Sequence, residues 1–384
     1  MTAAPDDNLL DDSADLQRID RQDRLRDLAG AAAQLRSTAR LCAETLALDG
    51  HDRPWAIVIA GGRALHPGRA VAALVGTSGA VPVTVVRRGP LPGWVGPHDL
   101  VVVAAADEDR SGVAMASAAA ARGSRLIGIV PAADVAGPLA DAVGRVRGSV
   151  LPVLATEPRE PDFWPAATAL VAVVAGLGLL DVTAELFEQT AAQLEDAAIR
   201  CRPSSEVFVN PAKSLALQVA SAIPAIWGAT PLLTVAARRF ADELTAAAGI
   251  PATAGLLGDV GDGAIGLLDG AGTSGGASTG ADDFFRDRVE APAGRTLRVV
   301  LVEDEPPAGA TPDALLREAV LDLLADRGVP VTQIVAPTGP ALTRFADVVT
   351  MFDFATSYAT LTLGVDPSEH RAVTELAARL RPSA

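Results

Sequence analysis

Three consecutive acidic residues, Asp107, Glu108 and Asp109, follow the apolar run of residues 100–106. An alanine-rich segment comes next, and a second apolar run occupies residues 125–130. This succession predicts a strand, a polar turn, a helix and a parallel strand. Ligands of parallel sheets lie beyond the carboxyl ends of the strands, where a turn leads into a helix. The turn after residue 106 is therefore a candidate ligand site, and it is acidic.

Two interpretations of this acidic turn are open. Carboxylates in the first turn of a helix cap its free N–H groups and complement its dipole, which is a structural role. The same carboxylates could instead bind a cation or an amine. They oppose an anion, because two like charges at 4 Å repel by about 1 kcal/mol even in bulk water.

A glycine turn, Gly61-Gly62-Arg63, follows the predicted strand at residues 56–60. Paired glycines let the backbone approach a ligand closely, and Arg63 could bind an anion. A tight strand-to-helix turn explains the same residues equally well.

The elements that position these residues form two similar sets, so we predict an α/β fold with two doubly wound parallel sheets joined by helices. The predicted domains are N-terminal helices at 1–48, a first sheet domain at 49–155, connecting helices at 156–205 and a second sheet domain at 206–384. Amphipathic spacing favours one or two helices within residues 7–48. The remaining predicted strands lie at residues 81–86, 150–154, 223–228, 297–302 and 329–335, and the remaining predicted helices at 183–199, 311–327, 341–363 and 367–380.

Composition narrows the classes of partner. The net charge of −15 argues against nucleic acid and anionic membranes as partners. Cys42 and Cys201 lie far apart without metal-type spacing, which favours a reducing cytoplasm. No cofactor is expected, since the sequence has neither a Walker loop nor a zinc motif. The apolar segment at 163–180 is short for a membrane span and favours a buried helix.

Several segments resemble one family. Residues 91–97 (Leu-Pro-Gly-Trp-Val-Gly-Pro), the segment Asn210-Pro211-Ala212-Lys213, residues 223–228 (Ile-Pro-Ala-Ile-Trp-Gly) and residues 363–367 are similar to the bifunctional phosphoglucose/phosphomannose isomerases. The resemblance spans roughly residues 20–380. It implies a homodimer of subunits with two sugar-isomerase (SIS) domains. It also implies interconversion of glucose or mannose 6-phosphate with fructose 6-phosphate through an enediol.

The motifs that carry this chemistry in the family are substituted here. The hydroxyl-rich phosphate cradle, Ser-Tyr-Ser-Gly-Asn-Thr, falls on residues 104–109, and the turn Gly-Met-Gly-Gly-Ser-Ala falls on residues 59–64. The glutamate base corresponds to Ala246, the ring-opening histidine to Asp262, and the C-terminal lysine to a position near Ala377. An alanine cannot transfer protons.

Any replacement for these groups must come from other titratable side chains. His370 follows the segment at 363–367, near which the family places a residue of the neighbouring active site, so it is the candidate acid or base. Asp242 and Glu243 precede Ala246 by about one helical turn and could replace the base. A solvated histidine and ordinary helix-face acids are the structural alternatives.

The sequence thus predicts a non-catalytic or regulatory relative, a dimer acting in sugar-phosphate metabolism. The predicted substrate-binding residues are Gly61, Gly62, Arg63, Asp107, Glu108, Asp109 and Lys213. The alternative is an active isomerase of hexose 6-phosphates that uses Arg63, Lys213, His370 and nearby acids. A third reading is a binding module for a cationic carbohydrate derivative.

Overall fold

A computed structural model describes residues 7–46, 48, 52–76, 79–106, 109–154, 163–270, 296–305, 311–365, 375, 376 and 379. The chain forms two compact units. The first-sheet unit comprises residues 29–195 and 340–343, and the second-sheet unit comprises residues 1–28, 196–339 and 344–384.

The first-sheet unit contains a five-stranded parallel sheet in the order β2-β1-β3-β4-β5. This order confirms the predicted doubly wound topology, in which the order of the strands reverses between β1 and β3. The strands are β1 (Ile57–Ala60), β2 (Val83–Val86), β3 (Leu100–Ala104), β4 (Arg125–Pro131) and β5 (Ser149–Val153).

Helices cover both faces of this sheet, so that the residues of β1 and β3 are buried on either side. Ile57 and Ile59 pack into a core formed with α4, α5 and α8, whereas Val58 and Ala60 pack into a core formed with α6 and α7. These helices are α4 (Ala31–Thr45), α5 (Leu65–Val75), α6 (Arg110–Ala121), α7 (Pro138–Arg145) and α8 (Phe163–Gly176).

The apolar segment that begins at Phe163 forms α8, and most of its side chains are buried in the core, as the sequence predicted. Within the described part of the chain, no helix combines the length and apolar character needed to cross a membrane.

The second-sheet unit contains a four-stranded parallel sheet in the order β7-β6-β8-β9. Three strands were predicted, namely β6 (Ala222–Gly228), β8 (Thr296–Glu303) and β9 (Val331–Val335). The edge strand β7 (Thr253–Leu256) was not, because Thr-Ala-Gly-Leu carries almost no strand pattern. The remaining helices of the second half of the chain are α9 (Ala184–Arg200), α10 (Pro211–Ala220), α11 (Pro231–Ala248), α12 (Pro312–Asp326) and α13 (Ala341–Thr362).

The N-terminal segment corrects the expectation of one or two helices. It forms four, the short α1 (Asp7–Asp11), α2 (Ser13–Ile19) and α3 (Arg24–Ala29) and the longer α4. Polar breaks divide them: the Asp12 side chain caps α2, and Asp23 adopts a positive φ of 52° before α3. Of the predicted helix at 367–380, the structure describes residues 375, 376 and 379, which are helical, and the rest of that segment lies outside the described residues.

The predicted domain boundaries at 48, 155 and 205 stay a prediction about divisions along the chain. By contacts, α1 and α2 belong to the second-sheet unit, whereas α4 belongs to the first-sheet unit. The two compact units therefore do not coincide with continuous segments of the chain.

Candidate functional site

The candidate site of the first-sheet unit lies at the carboxyl ends of β1 and β3, where the strand order reverses. β1 ends at Ala60 and leads through the glycine turn into α5, while β3 ends at Ala104 and leads into α6. α5 and α6 pack on opposite faces of the sheet, which makes this edge the switch point at which doubly wound sheets commonly bind ligands. The ligand site predicted after residue 106 lies at this switch point, and its role stays a prediction.

Asp109 joins the two turns. Its carboxylate accepts a hydrogen bond from the Gly62 backbone N–H at 2.6 Å and another from the Gly112 backbone N–H at 3.1 Å. The Gly112 bond is an N-cap on α6, so one of the two predicted roles of this acidic turn, helix capping, is confirmed for Asp109. The Gly62 bond reaches the turn after β1 and does not follow from the sequence pattern.

Glycines build the seat of this carboxylate. Gly61 has a φ of +109°, and a Cβ there would lie 2.3 Å from the Ala104 carbonyl oxygen. A Cβ on Gly62 would lie 2.9 Å from Asp109 Oδ2, and one on Gly112 would lie 2.6 Å from the Ala105 Cβ. A side chain at Gly61 would thus meet backbone and one at Gly112 would meet the Ala105 Cβ, whereas at Gly62 the contact is with the Asp109 carboxylate itself.

The other predicted members of this site are placed less fully. Asp107 and Glu108 lie outside the described residues, and Arg63 belongs to a short 3-10 helix, Gly62–Ala64, whose arginine side chain is not described. The substrate-binding roles of Gly61, Gly62, Arg63, Asp107, Glu108 and Asp109 therefore stay predictions. His370 also lies outside the described residues, and its catalytic role likewise stays a prediction.

Lys213 is fully buried in the second-sheet unit. Its ammonium donates hydrogen bonds to the carbonyl oxygens of Leu10 at 2.5 Å, Pro203 at 2.6 Å and Ser205 at 2.6 Å. The Nζ atom also lies 5.5 Å from the centre of the Tyr358 ring. Burial lowers the pKa of Lys213, an effect that the nearby Asp11 partly offsets. These contacts favour a structural role, and the predicted substrate-binding role remains a prediction.

The residues predicted as replacements for the base lie on α11. Ala246 is exposed, and Glu243 forms an ion pair with Arg239, which is buried. Arg239 also lies 3.0 Å from a carboxylate oxygen of the buried Asp353 on α13. Glu243 is thus engaged by a guanidinium that ties α11 to α13, while Asp262 is exposed at the end of the 3-10 helix Leu257–Asp262.

Sequence reasoning missed a second acidic group at the carboxyl end of β8. Glu303 is 2% exposed, and its carboxylate accepts hydrogen bonds from Arg317 Nε at 2.5 Å and Nη2 at 2.7 Å. This bidentate pair raises the pKa of Arg317 and fixes the end of β8 to α12. An apolar strand that ends in an acidic residue was the sequence feature that could have indicated Glu303.

Potential metal ligands and nucleophiles are the remaining chemical groups of interest. Among the described residues, no three His, Cys, Asp or Glu side chains come together as metal ligands. Cys42 and Cys201 are both buried and free, and burial raises the pKa of each thiol to about 12. Both are therefore protonated near neutral pH and poor nucleophiles.

Comparisons with known proteins agree with this architecture. The family model of the bacterial phospho-glucose isomerase C-terminal SIS domain matches residues 208–380. No curated protein matches the chain.

Solved structures share the fold over most of their length at low identity. A hypothetical protein from Thermus thermophilus has a TM-score of 0.65 at 14% identity, covering 97% of this chain and 94% of that one. The C-terminal domain of glucosamine-fructose-6-phosphate aminotransferase from Francisella tularensis has a TM-score of 0.60 at 13% identity, covering 89% and 97%. Tagatose-6-phosphate ketose/aldose isomerase from Escherichia coli has a TM-score of 0.58 at 12% identity, covering 95% and 97%.

Two α/β units with parallel sheets, together with these matches, define a SIS-fold protein. Over residues 208–380 the chain matches the bacterial phospho-glucose isomerase C-terminal SIS domain. The predicted fold class is confirmed, as is the resemblance to phosphoglucose isomerases over these residues, whereas the loss of the catalytic motifs stays a prediction.

Proposed function

We propose that this chain is a carbohydrate-related SIS protein that binds a carbohydrate derivative without isomerising it, as a regulatory or assembly partner and as a homodimer. The proposal rests on the surroundings of two residues of α11, Ala246 and Glu243. Proton transfer at a sugar carbon needs a group within hydrogen-bond reach of the substrate. The position that resembles the family's base is an exposed alanine, Ala246, and the neighbouring Glu243 is engaged by Arg239.

The alternative is an active isomerase of glucose or mannose 6-phosphate that uses Arg63, Lys213 and His370. The contacts of Lys213 weigh against it, because three carbonyl oxygens already surround the ammonium. A lysine that reached a substrate from this position would leave those oxygens without their donor.

Coupled turnover assays separate the two functions. We expect glucose 6-phosphate and mannose 6-phosphate to convert at the rate without enzyme, both for the wild type and for the Arg63→Ala/His370→Ala double variant. The matched control is Arg18→Ala/His98→Ala, in which Arg18 lies on α2 and His98 stacks on Trp55 at a centroid distance of 4.4 Å. Turnover that the first variant abolishes and the control retains would establish the isomerase instead.

Thermal unfolding tests the binding half of the proposal. A ligand at 100 times its dissociation constant stabilises a protein by about 2.7 kcal/mol. We expect an upward shift with an unphosphorylated sugar or amino sugar. If no carbohydrate shifts the transition, the regulatory role must involve a protein partner alone.

A further inference from the structure

The switch point at the carboxyl ends of β1 and β3 already holds an anion that belongs to the chain. The Asp109 carboxylate lies between the Gly62 and Gly112 N–H groups, one from each of the segments that follow these strands. These are backbone donors at the place where doubly wound sheets hold an anionic ligand group.

Helix capping alone does not account for this arrangement, and Asp12 provides the comparison. The Asp12 carboxylate caps α2 by accepting bonds from Ala14 and Asp15, both in its own helix. Asp109 uses one oxygen for its own helix and sends the other to Gly62, which is 47 positions away along the chain. The Gly62 contact is also the shorter of the two, so the carboxylate is held at least as closely by the opposite turn as by the helix.

Glycines shape the seat of this half-buried carboxylate. Gly61 brings the first turn against the Ala104 carbonyl with a backbone conformation that L side chains rarely adopt, and this places the Gly62 N–H toward Asp109. Gly112 lets α6 begin directly against Ala105. Both turns therefore converge on one carboxylate.

We propose that Asp109 is the specificity-determining residue of this switch point, an internal anion that occupies the two backbone donors and excludes phosphate-bearing sugars. A tethered group competes with a free ligand at a high effective concentration. A phosphate must also displace it against like-charge repulsion. The inference deepens the proposed function and rests on it for the class of ligand, which becomes unphosphorylated carbohydrate derivatives.

Asp109→Ser tests the inference, because serine retains a short cap acceptor for Gly112 and removes both the charge and the reach to Gly62. Binding of inorganic phosphate is measured by titration calorimetry and by phosphorus NMR line broadening. We expect Asp109→Ser to bind phosphate at least 10-fold more tightly than the wild type. The matched control, Asp12→Ser, removes a capping carboxylate of the same charge and should leave phosphate binding unchanged.

Two results would overturn the inference: a folded Asp109→Ser protein that binds phosphate no more tightly than the wild type, or an equal gain in Asp12→Ser. If Asp109→Ser fails to fold, Asp109→Asn replaces it, since the amide retains the shape and an acceptor oxygen. No gain in a folded Asp109→Asn protein would then be decisive against the inference. These results can be told apart from a failure of the proposed function, which would show itself as turnover of sugar phosphates by the wild-type protein.

Discussion

Replacing Lys213 by methionine tests the structural account of the second-sheet unit. Lys213 is the only lysine in the chain, in a sequence that uses arginine at every other basic position apart from histidine. The three carbonyl oxygens around it come from α1 and from the turn before α10, so the ammonium joins segments that are distant in sequence. A compact ammonium with three donors matches this tripod, whereas a planar guanidinium does not. Methionine fills a similar volume without any donor.

The magnitude follows from which oxygens lose their partner. The bond to Leu10 is fully buried, and a buried polar group without a partner costs about 1–3 kcal/mol. The bonds to Pro203 and Ser205 are only partly buried, so water can replace the ammonium there at a smaller cost. Methionine also removes the cost of burying a charge, which the lowered pKa of Lys213 reflects. We expect a net loss of about 2–4 kcal/mol in the free energy of unfolding.

Urea unfolding of the full chain, combined with hydrogen exchange, measures this loss. Faster exchange should concentrate in α10, in the turn before it and in α1, since Lys213 bonds these segments together. Arg18→Met is the control, because it removes one positive charge from an exposed helical position and should change stability by less than about 0.5 kcal/mol.

The sign of the pH dependence gives a second check. Because the pKa of Lys213 is lowered, the unfolded chain binds this proton more tightly than the folded chain. The stability of the wild type relative to Lys213→Met should therefore rise with pH through the window below about 10.5. Equal stability of the two proteins, with unchanged exchange in α10, would refute the structural account.

Two further predictions concern glycine packing and the buried thiols. Gly61→Ala should destabilise the first-sheet unit by about 3 kcal/mol or more, because its Cβ would lie 2.3 Å from the Ala104 carbonyl oxygen. The control is Gly144→Ala in α7, whose Cβ would have no atom within 4 Å. In thermal unfolding this control should be neutral or stabilising. Burial raises the pKa of Cys42 and of Cys201 from the ordinary thiol value of 9 to about 12. The stability that these two thiols contribute is fully present below pH 9 and is lost as the pH rises toward 12. The Cys42→Ala/Cys201→Ala variant should therefore lose less stability between pH 9 and 11 in urea titrations, and a steeper loss than that of the wild type would contradict this reasoning.

The sequence predicts local features of the candidate site better than the contacts between distant segments. The strand before Asp109 and the helix that Asp109 caps follow from hydrophobic patterning and capping chemistry, and the structure confirms both. The bond from Gly62 could not be predicted, because it depends on β1 pairing with β3 and on how closely the two turns approach.

Lys213 illustrates the same limit in the second-sheet unit. Its substrate-binding role stays a prediction, but its bond to the Leu10 carbonyl could not be predicted, because Leu10 belongs to a helix some 200 residues earlier in the sequence. Weak local patterns account for the other differences. Thr253–Leu256 is too short and too small to indicate a strand, and polar breaks within residues 7–30 divide what periodicity alone presents as one or two helices.

The single lysine has a practical consequence. An endoprotease that cuts only after lysine has one target bond in the whole chain, and its recognition side chain is fully buried. Cleavage into the fragments 1–213 and 214–384 therefore requires local unfolding that exposes Lys213. When the protein recloses faster than the protease cuts, the cleavage rate reports the population of the opened form. A gel with two product bands would follow local opening at one defined point, and a ligand that binds the closed second-sheet unit would slow the appearance of both bands together.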